Sequence, residues 1–281
     1  MKEYKPRIAD TLLRKKLEGA GAVLIEGPKW CGKTTTAEQQ AKSIVYMDDT
    51  EEGNEWKQMA AVNPKAVLAG EAPRLIDEWQ TTPRLWDAVR FEVDHRNADG
   101  QFILTGSAVP LQEGKTSHSG TGRVSWLTMR PMSLWESGES NGGVSLKELF
   151  NSPEQLFSEN ELTLEDIAYL VCRGGWPRAT MQKREVALGR AFDYYDAVVK
   201  KDISRADGVK RDAERTRRIM RSYARHQGTT TPVSTIANDI RSNDVDTVDD
   251  KTVYSYVSAL KKIFVIEDME AWNPNLRSKW C

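Results

Sequence analysis

The stretch "AVLIEGPKWCGKTTTAEQQ", residues 22–40, changes chemistry within a few positions. Val23, Leu24 and Ile25 form a short apolar run of the kind that fills a buried strand. Gly27 to Thr34 then matches G-x-x-x-x-G-K-[ST]. That spacing suits a loop wrapped around a phosphate chain. Gly27 and Gly32 permit backbone angles and close approaches that a Cβ would block. Successive N–H groups then converge on an anion at a helix start, and "TTTAEQQAKS" is compatible with that helix. The expected phosphate cradle is Gly27, Pro28, Lys29, Trp30, Cys31, Gly32, Lys33, Thr34 and Thr35. Lys33 is expected on the β- and γ-phosphates, the Thr34 hydroxyl on Mg²⁺, and Thr35 near the α-phosphate.

Such a loop needs a carboxylate to hold the metal, and "PRLIDEWQ" (73–80) supplies one. Leu75 and Ile76 read as the end of a core strand with Asp77 at its carboxyl end, where it holds Mg²⁺ directly or through water. Glu78 follows immediately and suits a general base for an attacking water. The plainer alternative is an exposed acidic pair after a strand. Hydrolases with this pair carry an extra strand between the P-loop strand and the Asp strand, and "SIVYMDD" (43–49) is available for it. A small-molecule kinase would not need Glu78, because its acceptor is not water.

A third strand is expected in "QFILTGSA" (101–108). Its polar end, Thr105-Gly106-Ser107, either sits between the other two strand ends and senses a γ-phosphate or is simply a terminating turn. A fourth strand, "RVSWLTM" (123–129), is led by Arg123. That arginine either stabilises transition-state charge, from this chain or a neighbour, or is a surface residue. Pro6, Arg7 and Ile8 precede the first strand at a distance that suits an adenine pocket.

Taken in order, "GPKWCGKTT" (27–35), "LIDEWQ" (75–80), "LTGS" (104–107), "GRV" (122–124), "RPMSLWE" (130–136) and "GGWP" (174–177) resemble a family of prokaryotic AAA-type P-loop ATPases. The resemblance covers nearly the whole chain, and it is specific as a set although each piece is weak alone. It implies ATP binding at Gly27–Thr35, Mg²⁺ held by Thr34 and Asp77, and a catalytic Glu78. It also implies a sensor role for Thr105, an arginine role for Arg123, and a helical lid beginning near "GGWP". Lys29 stands where the family often has Arg. Members usually continue into a nuclease-like domain of uncharacterised function. That part would lie beyond Cys281, so no nuclease activity is expected of these residues.

The fold expected is therefore an α/β P-loop core with a parallel sheet over residues 1–140, AAA-like with a strand inserted before the Asp-Glu strand. A helical lid (141–210) and a winged helix-turn-helix domain (211–281) follow. "EVALGRAFDYYDAVVKKDIS" (185–204) places Leu188, Ala191, Phe192, Tyr195, Val198 and Val199 at helical spacing. A helix over 213–227, then "TPVSTIANDI", a helix with Val253, Val257 and Leu260 inward, and a β-like "FVIEDMEAW" outline the winged helix.

Residues 200–225 carry ten basic and four acidic side chains, although the whole chain has a net charge of −1. A DNA-binding reading of that segment meets an obstacle. A recognition helix uses its N-terminal residues in the groove, and here that end carries Asp244, Asp246, Asp249 and Asp250. Four carboxylates against phosphate oppose binding, and Asp249 or Asp250 fits better as a helix N-cap. A structural winged helix packed on the core or on a partner is therefore preferred. DNA binding regulated by ATP is the alternative function, and a protein partner or a second copy is also compatible.

Charged residues make up 29% of the 281. No apolar run is long enough to cross a bilayer, and the N-terminus lacks a secretory apolar segment. Cys31, Cys172 and Cys281 have neither disulfide-framework nor zinc spacing, and His95, His118 and His226 are scattered. These features point to a protein with reduced thiols in the cytoplasm. The leading expectation is Mg²⁺-dependent ATP hydrolysis used as a conformational switch.

Overall fold

A computed structural model describes residues 4–106, 122–152, 154, 157–243 and 248–269. Ser107, His118, Asp244, Asp246, Cys281 and residues 270–272 of the "FVIEDMEAW" segment, which figure in the sequence reading, lie outside them.

Five strands, β1 (Ala22–Glu26), β2 (Ser43–Tyr46), β3 (Arg74–Asp77), β4 (Phe102–Thr105) and β5 (Val124–Thr128), form one sheet in the order β2-β3-β4-β1-β5. Every pairing is parallel. A parallel sheet needs crossovers that cover both faces, so its strands read as continuous apolar runs rather than alternating ones. The helices that do this are α1 (Ile8–Leu17), α2 (Lys33–Glu38), α3 (Gly53–Val62), α4 (Pro64–Leu68) and α5 (Arg84–Arg96). Leu24, Ile76, Phe102 and Leu104 face one core with Leu85, Trp86 and Val89 of α5. Val23, Ile25, Leu75 and Ile103 face the other, with Leu13 and Leu17 of α1 and Ala37 of α2.

The sheet order corrects one expectation. The strand separating the P-loop strand from the Asp strand is β4, not the 43–49 segment. β2 forms as expected but occupies the sheet edge beside β3. Position in the sequence cannot show this, because a crossover helix lets any later strand enter the sheet between two earlier ones.

Beyond β5 the described residues are helical: α6 (Leu134–Ser137), α7 (Leu146–Asn151), α8 (Leu164–Arg173), α9 (Pro177–Thr180), α10 (Arg184–Ala197), α11 (Ile203–Arg205), α12 (Ala213–Arg225), α13 (Val233–Asn243) and α14 (Asp250–Lys262). A π-helical turn, Val198–Asp202, joins α10 to α11. Helix 185–204 is thus present but interrupted. Val198 and Val199 are buried, while Phe192 is 74% exposed and is not part of the core. Ile219 of α12, Ile236 and Ile240 of α13, and Val253, Val257 and Leu260 of α14 share a third core with Val198, Ile203 and Ala206. The 210/211 division of the sequence reading passes through that core. Asp249 caps α14, accepting from the Thr252 N–H at 2.8 Å. Among the described residues no strand follows α14.

One buried cluster fastens the chain's start to the sheet and to the lid junction. Arg7 donates from Nη1 to the Cys31 carbonyl (2.8 Å), from Nη2 to the Arg130 carbonyl (2.8 Å) and from Nε to Glu136 (3.0 Å). Glu136 also accepts from the Ser133 and Ile8 amides, so "SLWE" forms a capping box whose acid reaches back to α1. Burial pushes the Glu136 carboxyl up, but those two amides and the Arg7 guanidinium outweigh it and hold the group below its usual range. Next to this, Met132 donates its N–H to the Gly175 carbonyl at 2.6 Å, and a Cβ on Gly175 would come 2.1 Å from the Met132 carbonyl oxygen. Removing one partner of a buried ion pair strands the other. Arg7→Ala is expected to lower unfolding stability by about 3 kcal/mol, measured by urea titration at neutral pH.

Candidate functional site

The loop after β1 is built on two glycines with positive φ. Gly27 has φ +146° and Gly32 φ +98°, and a Cβ on Gly27 would lie 2.0 Å from the Met129 carbonyl oxygen. The loop therefore passes against the end of β5 at a separation no other residue permits. Trp30 is also left-handed, at φ +65°. Lys33 begins α2 and is buried, and its Nζ donates to the Gly27 (3.0 Å) and Pro28 (2.8 Å) carbonyls. Burial pulls its pKa down, while Cys31, Glu78 and Asp77 pull it the other way. An ammonium held by two neutral loop carbonyls is available to a stronger anionic acceptor.

Three chain segments meet at Asp77. Its Oδ1 accepts from the Thr34 hydroxyl at 2.7 Å and from the Thr105 hydroxyl at 2.5 Å. The register explains this. Thr105 of β4 lies beside Ile25 of β1 on one side and Asp77 of β3 on the other. Glu78 follows with left-handed backbone, φ 54° and ψ 42°, and lines the same cleft as Lys33 and Thr34. Burial raises the Glu78 pKa, and the neighbouring Asp77 charge adds to this; a hydrogen bond from Gln80 and the Lys33 charge oppose it.

The donor set fits magnesium. Among the described residues no group of three or more His, Cys, Asp or Glu converges as a metal cage. One carboxylate and one hydroxyl beside a phosphate-sized loop match an ion that keeps waters and takes the rest of its oxygens from a bound phosphate. Thr34 and Asp77 are the residues that would hold it, and the ion would supply charge neutralisation to the phosphates.

The remaining expectations divide. Thr35 and Gly32 line the cleft, as do Lys29 and Trp30. The Cys31 side chain does not; it is buried with Sγ directed at the Met129 carbonyl, and burial raises its pKa. Lys29 reaches away from the loop to Asp202, at 2.6 Å, in the π-turn. Arg123 is not brought to the site. It precedes β5 at the opposite end of the sheet, where it pairs with Asp94 of α5. A five-residue strand separates it from the loop end by about 16 Å. A parallel strand delivers its last residues, not its first, to the loop side, so a residue that opens β5 points away from the phosphates. Arg7 is spent on its clamp and is not free to read a base.

Sequence reasoning missed the cleft's other wall. A cavity of about 1120 Å³ runs from the loop to the lid and is lined there by Tyr4, Met132, Trp176, Arg178, Met181 and Arg190. Trp176 packs on Tyr194 of α10 with the rings tilted and centroids 4.3 Å apart, and the Trp30 centroid lies 5.7 Å from the same ring. Arg178 directly follows "GGWP", so the motif itself was the available signal.

Residues 20–137 match a family model described as an AAA domain, and residues 164–280 match a domain of unknown function (DUF8612). The Walker-type ATPase paby2304 of Pyrococcus abyssi shares the fold, with TM-score 0.50 and 14% identity over 92% of this chain and 90% of that one. These matches support an AAA-type P-loop fold for the α/β core. The chain is also 27% identical over 273 residues to uncharacterized proteins of Mycobacterium tuberculosis and Mycobacterium bovis. The match takes in 96% of this chain but 54% of each relative, so the chain spans about half the length of the curated relatives it matches. No helix among the described residues is long and apolar enough to cross a membrane.

Two outcomes follow from the placement of these groups. Gly27→Ala is expected to abolish nucleotide binding, read by titration with a fluorescent ATP analogue, because the loop cannot keep its path past Met129. Arg123→Ala is expected to leave ATP turnover within about twofold of the parent, as for a surface substitution.

Proposed function

We propose that this chain hydrolyses ATP with Mg²⁺ and uses the cycle as a conformational switch between its core and its helical region. The observation that carries the reading is the convergence of the Thr34 and Thr105 hydroxyls on Asp77 Oδ1, with Thr34 next to Lys33 at the start of α2. In this reading the loop amides and Lys33 hold the β- and γ-phosphates. Thr34 and Asp77 hold the metal. Glu78 takes a proton from the attacking water, and its raised pKa makes it a better base than a freely exposed carboxylate. Thr105, hydrogen-bonded to Asp77, registers the γ-phosphate. Arg178 and Arg190, on the cleft's far wall, replace Arg123 as the cations available to the phosphates of a bound nucleotide.

Lys29 gives the switch its route. It links the P-loop to Asp202, whose π-turn neighbours Val198 and Ile203 belong to the third core. Loop movement on phosphate binding would be felt there first. Regulated DNA binding is less well supported. In the basic segment Arg217 pairs with Asp196 and Glu214, and Arg225 with Asp239. Those cations are partly neutralised before any phosphate arrives. The nuclease-like continuation rests on the resemblance alone, and no nuclease role is proposed for these residues.

Lys33→Ala is expected to lose ATP binding. Glu78→Gln is expected to keep binding while turnover drops on the order of 10²-fold, measured by phosphate release; parent-like turnover in Glu78→Gln would remove the base assignment. For the switch, adding a non-hydrolysable ATP analogue with Mg²⁺ is expected to change amide hydrogen exchange across residues 198–206. Lys29→Ala should cancel that change while the P-loop remains protected by the nucleotide.

A further inference from the structure

Gln80 is an unexplained side chain next to the reacting groups. It lies in the 3₁₀ turn Trp79–Thr81, directly after Glu78. Its Nε2 donates to Glu78 Oε2 in a short hydrogen bond. Its Oε1 is buried and accepts from no group among the described residues. The amide lies against Gly106 at the end of β4, where an added Cβ would stand 2.5 Å from Oε1 and 3.1 Å from Cδ.

Burying an amide with one end unmatched is unfavourable. Such a group is retained where it serves something other than stability. Here the single hydrogen bond is to Glu78, so Glu78 alone fixes which way the amide faces. Glu78 in turn has a left-handed backbone that a non-glycine residue adopts at a cost, and its own carbonyl is tied by Thr81 Oγ1 at 3.0 Å.

We propose that Gln80 is a positioning residue for Glu78, seated in a niche that exists because residue 106 is glycine. This inference rests on the reading of Glu78 as the general base. Gln80 occupies Oε2 of the carboxylate and leaves Oε1 to face the attacking water. In the step it supports, one water proton passes to Glu78 Oε1 as the water oxygen bonds to the γ-phosphorus. The bond from that phosphorus to the bridging oxygen breaks, and ADP leaves with the electron pair. Glu78 then returns the proton to solvent. Gln80 gains and loses no proton, so its contribution is geometric.

The test compares Gln80→Met, nearly isosteric but without the donor, with Glu78→Gln and the double variant, using steady-state ATP hydrolysis with Mg²⁺. Gln80→Met is expected to lower kcat at least about tenfold, with KM, analogue affinity and Tm held. In the Glu78→Gln background it should slow the residual rate no further, because the two act as one unit. Gly106→Ala, which displaces the amide without touching Glu78, should reproduce the kcat loss. If Gln80→Met unfolds, Gln80→Leu replaces it with the same expectations.

Parent-like kcat in the donor-less variant overturns the proposal, as does an additive loss in the double variant. These results leave the base assignment standing if Glu78→Gln is still slow. Parent-like turnover in Glu78→Gln itself removes the base assignment, and the inference with it.

Discussion

The carboxylate oxygen Asp77 Oδ1 is where the site is assembled. It receives Thr34 from the helix after the P-loop and Thr105 from the strand beside it. Neither hydroxyl is near Asp77 in sequence, at 43 and 28 residues' separation. What brings them together is the parallel register, which aligns Ile25, Thr105 and Asp77 across three adjacent strands. Parallel strands all end on one edge of the sheet, so their polar last residues share a rim while their apolar residues fill two cores. A register slip of one residue would turn each of these side chains to the opposite face and dissolve the cluster.

Around that rim the protein joins its parts with buried polar contacts. Arg7 fixes the first helix to the P-loop backbone through the Cys31 carbonyl and to the capping box at Ser133–Glu136. Gly175 lets the segment after α8 lie against Met132 as two backbones in contact. Lys29 and Asp202 tie the loop to the helical region, and Trp30, Trp176 and Tyr194 fill the space beside them. The loop and the helical region thus meet through one ion pair and a cluster of aromatic rings.

The glycine loop and the strand ends around the candidate site could be read from the chain. The glycine spacing at Gly27 and Gly32 is a backbone requirement, and the structure gives both residues positive φ. Asp77 at the end of an apolar run is a pattern that survives folding unchanged, because strand ends and rim positions coincide. Arg123 shows the limit. It is also next to a strand, but at the beginning, and strand direction relative to the loop is a property of the sheet. The 43–49 segment fails as the inserted strand for a related reason, since its neighbours are set by crossovers. The wing expected after α14 is not formed by its described residues 264–269, which contain no strand, and Val265 and Ile266 instead pack against the third core.

The sequence alone determined the local structure: which loop needs glycine at Gly27 and Gly32, which acid ends a strand, and which runs are apolar enough to be strands buried on both faces. Those depend on neighbours within a few residues. Tertiary structure alone decided that β4 lies between β1 and β3, that Thr105 meets Asp77, that Arg7 pairs with Glu136, and that Trp176 and Arg178 complete the cleft. Each of these joins residues far apart in the chain, and such contacts are selected by the packing of whole layers, which no short window of sequence contains.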